Sequence, residues 1–395
     1  MEAYLVDWLN LLVRWLHLVA GIAWIGASFY FVMLDNSLRP PEDPAAKQRG
    51  VFGELWAVHG GGFYCSQKLP TGPKGEPLSE HLHWSKWEAY TTWLSGMGMM
   101  ALIYWYGART FLIDSSVLSL SPAAGIAISI AFLAGGWVVY DFLCRALAGR
   151  ENLLAALVLV LVMVATWALF QVFGARAAYV HVGAMIGTMM VANVFFHIIP
   201  GQKRMVADIR AGREPDPMPG IIGKQRSVHN TYFTLPVLFV MISNHYPMTY
   251  SHPYGWAALG VIMLSGVLIR QFFVLRHKGS LRPALPAIAV VLLIGLAVVI
   301  APRSTSAAKG EIAFAQLRTV LVERCVSCHA AQPTQAGFAQ PPKGVLLETP
   351  EQIAQNAAKI AETVGNRYMP IGNLTQMTDA ERALVAAWYA QGAKH

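Results

Sequence analysis

Cys325-Val326-Ser327-Cys328-His329 sets two thiols three residues apart, with an imidazole directly after the second. That order is the attachment motif of a c-type haem. The cysteines add to the two vinyl groups of one porphyrin edge, and the next residue then lies under the iron as proximal ligand. A sixth ligand is found downstream, where Met369-Pro370 sits in a loop rich in glycine and asparagine, Gly365-Asn366-Arg367-Tyr368-Met369-Pro370-Ile371-Gly372-Asn373. A thioether opposite an imidazole raises the haem potential and suits an electron acceptor rather than an oxygen binder. Met377 is the rival for the axial position. A chance match or a zinc half-site is the plain alternative.

The elements around the motif argue against that alternative. A helix, the CxxCH run, a loop, Met-Pro and an amphipathic helix follow one another as in a small class I cytochrome c, which predicts such a domain over residues 310–395 with one covalent haem c. Cys325 and Cys328 would hold the porphyrin, and His329 and Met369 the iron. The remainder of the chain must then be whatever hands electrons to this group.

Composition bounds that remainder. The chain has 395 residues, is 55% hydrophobic and only 13% charged, about half the charged fraction of an ordinary soluble domain. The apolar residues fall in long blocks, which predicts an all-α, polytopic membrane helix bundle followed by a soluble tail. A net charge of +8 invites nucleic acid as a partner. The basic residues instead occupy short loops between apolar blocks, where they set topology, so nucleic acid is excluded. Cys65 and Cys144 are far apart and predict no disulfide framework. Met1-Glu2-Ala3 lacks a basic n-region, so the first apolar run reads as an uncleaved helix.

Eight blocks are long enough to span, or nearly so: 8–34, 88–107, 118–143, 152–173, 178–200, 228–244, 254–275 and 284–301. The sixth is short and interrupted by Pro236. Lysine and arginine crowd the first, third, fifth and seventh connections. The second and fourth carry only Arg109 and Arg176, and the sixth carries none. The positive-inside rule then makes the odd connections cytoplasmic and both termini periplasmic. A c-type haem is attached on that outer, oxidising side of the bacterial inner membrane, so two independent arguments agree. The expected organisation is a transmembrane domain at 1–301, a polar linker at 302–309 and the cytochrome domain at 310–395. A short tether gives a high effective concentration at any docking site.

Histidines inside apolar blocks are costly and by default point to function. A satisfied structural histidine, bonded to a neighbouring helix, is the alternative for each. His17 shares a helix face with Gly21, Trp24 and Ser28. Small residues a turn away leave flat space beside the ring, as a haem or a close helix needs, and this run resembles the haem-binding first helix of the membrane protoporphyrinogen oxidase family. His181 and His197 bracket the fifth block, and His229 and His245 the sixth. By topology His181 and His245 share one side and His197 and His229 the other, which suggests one or two bis-histidine haem b groups. The sixteen-residue spacing within each block opposes this, because it turns an ideal helix roughly 160° beyond whole turns.

The first connection is the other unusual region. It reads Trp56-Ala57-Val58-His59-Gly60-Gly61-Gly62-Phe63-Tyr64, then Lys68, then His81-Leu82-His83-Trp84-Ser85-Lys86. Glycines let backbone approach a ligand closely. Aromatic faces with lysine and histidine suit a flat, anionic, proton-releasing substrate. His59 or His83 could act as base and Lys68 or Lys86 as anchor. Interface aromatics and loop glycines are the bland reading. His81-x-His83 lacks a third metal ligand of clear spacing.

Taken together, the Trp-x-His-x-x-x-Gly-Ile-x-Trp-Ile-Gly run, the His-Gly-Gly-Gly-Phe-Tyr loop and the fused CxxCH domain resemble the bacterial membrane-bound urate oxidase (urate hydroxylase) family. The resemblance implies two-electron oxidation of urate to 5-hydroxyisourate in purine degradation. Electrons would leave through the c-type haem to a soluble cytochrome or terminal oxidase, from the inner membrane. It transfers the haem ligands Cys325, Cys328, His329 and Met369, and no urate-binding residue. Two other readings remain open at this point: a quinol-linked electron-transfer protein with haem b and haem c, and a non-catalytic membrane anchor displaying a cytochrome.

Overall fold

A computed structural model of the chain describes residues 2–301, 311–335 and 338–394. The linker expected at 302–309 lies outside the described residues. Eight long helical segments follow the eight apolar blocks. They are α1 (Glu2–Ser37), α2 (Trp87–Met99), α3 (Pro122–Ala146), α4 (Glu151–Phe170), α5 (Ala175–Ala192), α6 (Met218–Ser243), α7 (Gly255–His277) and α8 (Ala284–Val299). Among the described residues, five stretches are long and apolar enough to cross a membrane: Tyr4–Ser37, Pro122–Ala146, Glu151–Phe170, Ala175–Arg210 and Gly255–His277. α8 is apolar but shorter. α6 starts well before the 228–244 block, and its early turns bring Lys224, Arg226, His229 and Asn230 into the helix. Pro236 lies inside it without ending it.

The helix ends follow local rules. Ser121 caps α3, its hydroxyl accepting from Ala124 N, and Pro122 supplies the preset φ of a first helical residue. Wide π turns occur at four places among the described residues, one of them Ala108–Leu112 in the second connection. α2 runs on through Met100–Trp105, α5 runs on through Asn193–Ile198 into a further helical stretch, and Val322–Val326 leads into the CxxCH motif. α5 is the central helix and packs on α2, α3, α4, α6 and α7. The Ala175–Arg210 stretch is 61% buried in its apolar window, against 11% for the N-terminal helix. The buried Tyr179, Met185 and Met189 of α5 share one apolar core with Tyr140, Leu154 and Leu169 of the neighbouring helices.

The two ends of the bundle differ. At one end the first connection folds as a β-hairpin, β1 (Gly53–His59) with β2 (Gly62–Lys68), antiparallel in the register Gly53↔Lys68 to His59↔Gly62. The expected all-α architecture holds for most of the chain, with one local departure at this connection. The departure is these two strands, which form because Gly60 and Gly61 both take positive φ, +60° and +81°, the requirement of a two-residue type I′ hairpin turn. Two of the three glycines thus serve the turn. The same end is tied by Lys68 and Lys224 on Asp35, and by Gln225 Nε2 donating to Glu151 Oε1 at 2.7 Å. The opposite end carries the second, fourth and sixth connections, where the Tyr179 hydroxyl donates to the carbonyls of Thr249 and Gly255.

The C-terminal residues form a separate small helical domain. Its helices are α9 (Phe314–Leu321), α10 (Pro350–Gln355), α11 (Ala357–Gly365) and α12 (Asp379–Ala390), around Leu317, Leu321, Ile353, Ile360, Val364, Val385 and Trp388. Thr349 with Gln352, and Thr378 with Glu381, form reciprocal capping boxes at the starts of α10 and α12.

Candidate functional site

The CxxCH motif opens onto a cleft with apolar walls. Cys325, Cys328 and His329 line it together with Tyr368, Met369 and Pro370, and with Phe338, Leu347 and Ile360. The donor set suits a covalent haem. Both thiols are free. Burial pushes the Cys325 thiol up to about 12 and raises Cys328 as well, so both are neutral near pH 7. His329 Nδ1–H donates to the Val345 carbonyl at 2.9 Å. A carbonyl only accepts, so the tautomer is fixed and Nε2 keeps a bare lone pair for a metal, the usual arrangement of a ligating histidine. Met377 is 3% exposed inside the domain core. Met369 is the methionine on the cleft wall.

Two arginines hold that wall. Arg382 Nη1 donates to the carbonyls of Met369 (2.7 Å) and Val364 (2.9 Å), and Nη2 to Asn373 Oδ1 (3.1 Å). Arg324 donates through Nη1 to the Thr375 carbonyl and through Nε to Glu381 Oε1. The residues flanking Met369 are therefore bonded to α12 rather than left as a free loop.

The cleft wall is also the part of the domain that touches the bundle. Gly372, at φ +56°, lies so close to the second connection that a Cβ would stand 2.9 Å from the Thr110 carbonyl. Tyr368 packs against the main core of the bundle. The cleft is therefore seated at the junction end, away from the β-hairpin.

The membrane histidines divide by how their ring nitrogens are used. His181 is fully buried and spends both: Nδ1–H donates to the Ala177 carbonyl at 2.7 Å, and Nε2 meets the Ser129 hydroxyl at 2.7 Å. His197 Nε2 bonds Asp141 Oδ1 at 2.6 Å. His229 Nδ1 meets the Tyr140 hydroxyl at 2.9 Å. His245 is exposed after the end of α6. His17 differs from these. Its Nδ1–H donates to the Thr92 carbonyl at 2.9 Å, its ring edge lies against Gly96, and Nε2 has no hydrogen bond among the described residues. That is the same orientation as His329.

Sequence reading missed a buried polar cluster on α3, α5 and α6. Arg226 is 2% exposed and bonds Asp141 Oδ1 through Nη2 at 2.7 Å and Asn193 Oδ1 through Nη1 at 3.2 Å. Asn193 Nδ2 donates to the Tyr140 hydroxyl and to Asn230 Oδ1, both at 2.9 Å. Asn193 begins a π turn, a feature frequent at functional sites. Asp141 and Arg226 carried a signal, since ionisable residues in apolar helices are expensive. The 200–228 interval between apolar blocks places Arg226 in the basic fifth connection, whereas it is a helix residue paired inside the bundle.

The hairpin candidates are not brought together. His59 sits at the turn, while Lys68 closes the opposite end of the hairpin on Asp35; six strand steps separate them, roughly 20 Å. His83 lies in the irregular stretch before α2. Among the described residues no group of three or more His, Cys, Asp or Glu side chains could hold a metal ion.

A model of the Urate oxidase N-terminal family matches residues 3–301, the whole helix bundle up to the linker. No curated protein and no solved structure matches the chain. The part of the molecule on which the CxxCH cleft is seated is thus the part that the family model describes, and the chain belongs to the Urate oxidase N-terminal family.

Proposed function

We propose that this chain oxidises urate to 5-hydroxyisourate at the junction end of its helix bundle and passes the electrons to a c-type haem in the C-terminal cleft. The observation that carries the reading is the seating of the cleft. Its Tyr368–Gly372 wall rests on the bundle that matches the urate oxidase model. Cys325 and Cys328 would hold the haem covalently, and His329 and Met369 its iron. Bound there, the group supplies a one-electron acceptor.

The reaction balances as urate plus water giving 5-hydroxyisourate, two protons and two electrons. Water adds at C5. The electrons leave one at a time toward the cleft and on to an external acceptor, a soluble cytochrome or terminal oxidase. The chain's own residues must bind an aromatic anion and accept protons. The junction end faces the periplasm in this reading, and both termini with it. A substrate near the cleft needs no relay across the bundle, whereas one bound at the hairpin would lie about 30 Å of hydrocarbon away. His59, His83 and Lys68 then belong to the far surface. An internal haem b is not obligatory for this route. If one is held, His17 is a candidate ligand, because the Thr92 carbonyl fixes its Nδ1–H as donor and leaves Nε2 without a hydrogen bond among the described residues.

The test is the visible spectrum of the purified full chain without oxygen, before and after adding urate. Reduction of the c-type band is expected. A band that stays oxidised with urate and reduces with a quinol would replace this reading by the quinol-linked one.

A further inference from the structure

Resting on the urate reading above, we propose that the substrate anion binds between the two domains, on Arg176, Asn244, Tyr104 and Tyr250, directly beneath the cleft wall at Tyr368. Arg176 stands near the start of α5 at the junction end. It is half-buried, its Nε donates to Asn244 Oδ1 at 3.1 Å, and its guanidinium lies 5.8 Å from the Phe111 ring. No carboxylate pairs with it among the described residues. With Arg109 it is one of the two basic residues on the side where lysine and arginine are avoided.

Two buried phenols face the same place. Tyr104 and Tyr250 are each 3% exposed; among the described residues the Tyr250 hydroxyl has no hydrogen-bond partner, and the Tyr104 hydroxyl has only Arg176 and Asn244 in reach, neither in good hydrogen-bond geometry. The Tyr104 hydroxyl lies beside Arg176 and Asn244, and Tyr250 lies in the electrostatic reach of Arg176, Tyr104 and Tyr368. Buried hydroxyls without partners are rare and unfavourable, and a ligand is one way to satisfy them. The groups match a planar purine anion. A guanidinium forks onto an anionic edge, phenols donate to ring carbonyls, an amide both donates and accepts, and Phe111 offers an aromatic face. Tyr368 both lines the cleft and packs on the bundle core to which Tyr104 and Tyr250 belong, which links the two regions.

Arg270 is the competing cation. It is 5% exposed, stacks on Phe29 at 4.2 Å and leaves Nε and Nη2 unpartnered. It lies on the last turns of α7, toward the hairpin end and away from the cleft.

The experiment uses full-length, haem-loaded protein and two readouts. One is the binding of xanthine, a purine of similar shape that lacks the 8-oxo group, followed by titration calorimetry. The other is the KM for urate-driven reduction of the c-type band. Arg176→Gln should weaken xanthine binding and raise KM at least about tenfold, the loss of a charge-assisted hydrogen bond. Tyr104→Phe and Tyr250→Phe, which each delete one oxygen, should cost about threefold to tenfold. Arg270→Gln should leave both unchanged. If Arg176→Gln does not fold, the two phenylalanine variants carry the test. Folded variants that bind xanthine and turn over as the wild type does overturn the site, as does a loss confined to Arg270→Gln. A wild-type chain that urate does not reduce overturns the urate reading itself, a separate outcome.

Discussion

Removing the Asp141 carboxylate should unfold the bundle at a markedly lower temperature. Asp141 receives Arg226 at 2.7 Å, His197 at 2.6 Å and, through its other oxygen, Arg145 at 2.7 Å. The Arg145 side chain is 69% exposed, so that pair contributes about 0–1 kcal/mol. The Arg226 side chain is 2% exposed, and stranding a buried charge costs about 3–5 kcal/mol. Arg226 keeps its bond to Asn193 and its position over the Tyr140 ring, 5.2 Å from the centroid, which favours the lower part of that range. At about 2–4 °C per kcal/mol for a chain of this order of size, Asp141→Ala should lower the apparent melting temperature in detergent by roughly 10 °C. Asp141→Asn keeps an acceptor and should lose less. Adding Arg226→Met to Asp141→Ala should recover most of the loss, because a buried pair replaced by apolar groups is close to neutral. The melt is read by tryptophan fluorescence. An Asp141→Ala melt within about 2 °C of the wild type, or a double variant no better than the single, would refute the reasoning.

Other outcomes follow from the C-terminal domain and the hairpin. Cys325→Ala with Cys328→Ala should leave no covalent haem on a denaturing gel stained for peroxidase activity. Met369→Leu should keep the haem and lower its midpoint potential in a redox titration, since the thioether is lost. Met377→Ala should leave the potential in place and destabilise the domain by about 2–5 kcal/mol through a core cavity, measured by denaturant unfolding. The Glu381 carboxyl is held below the usual range: burial alone would raise it, but hydrogen bonds from Thr378 and Arg324, with the Arg324 charge, outweigh burial. Its contribution is therefore full above the unfolded value of about 4.3 and is lost as pH falls through the lower folded value. Glu381→Gln should flatten the acid limb of the domain's stability, followed at the Soret band, and an unchanged limb would count against the pairing. His59→Ala should leave urate-driven reduction within experimental error of the wild type.

The helical elements were legible because long apolar blocks and charge-dense loops are strong one-dimensional signals. The CxxCH run and Met369, read from their spacing, do line one cleft. The hairpin was not legible, since His-Gly-Gly-Gly-Phe-Tyr reads equally as a ligand loop, and only the positive φ of Gly60 and Gly61 assigns the turn. The phase of His181 against His197 was not legible either. A regular helix puts them roughly 160° apart, but the π turn at Asn193–Ile198 takes up an extra residue, carrying that offset toward roughly 60°. Periodicity cannot reveal such a turn. Partners from distant segments, such as Tyr140 for His229 or Asn244 for Arg176, are invisible for the same reason: nothing in local sequence states which helices touch.

The polarity of α6 has a consequence for how the protein is made. Arg226, His229, Asn230 and Thr231 find their bonds on Asp141, Tyr140, Asn193 and Ser28, all of them earlier in the chain. A segment of this composition partitions poorly into lipid alone. By the time the ribosome releases α6, however, every one of those partners has already been synthesised. A membrane-inserted α6 would then meet a waiting binding surface, so the order of the helices along the chain should matter to its integration. Truncated chains report this directly in a glycosylation-mapping assay: α6 should integrate behind intact α3 and α5, and slip through when Asp141 and Asn193 are both replaced by alanine.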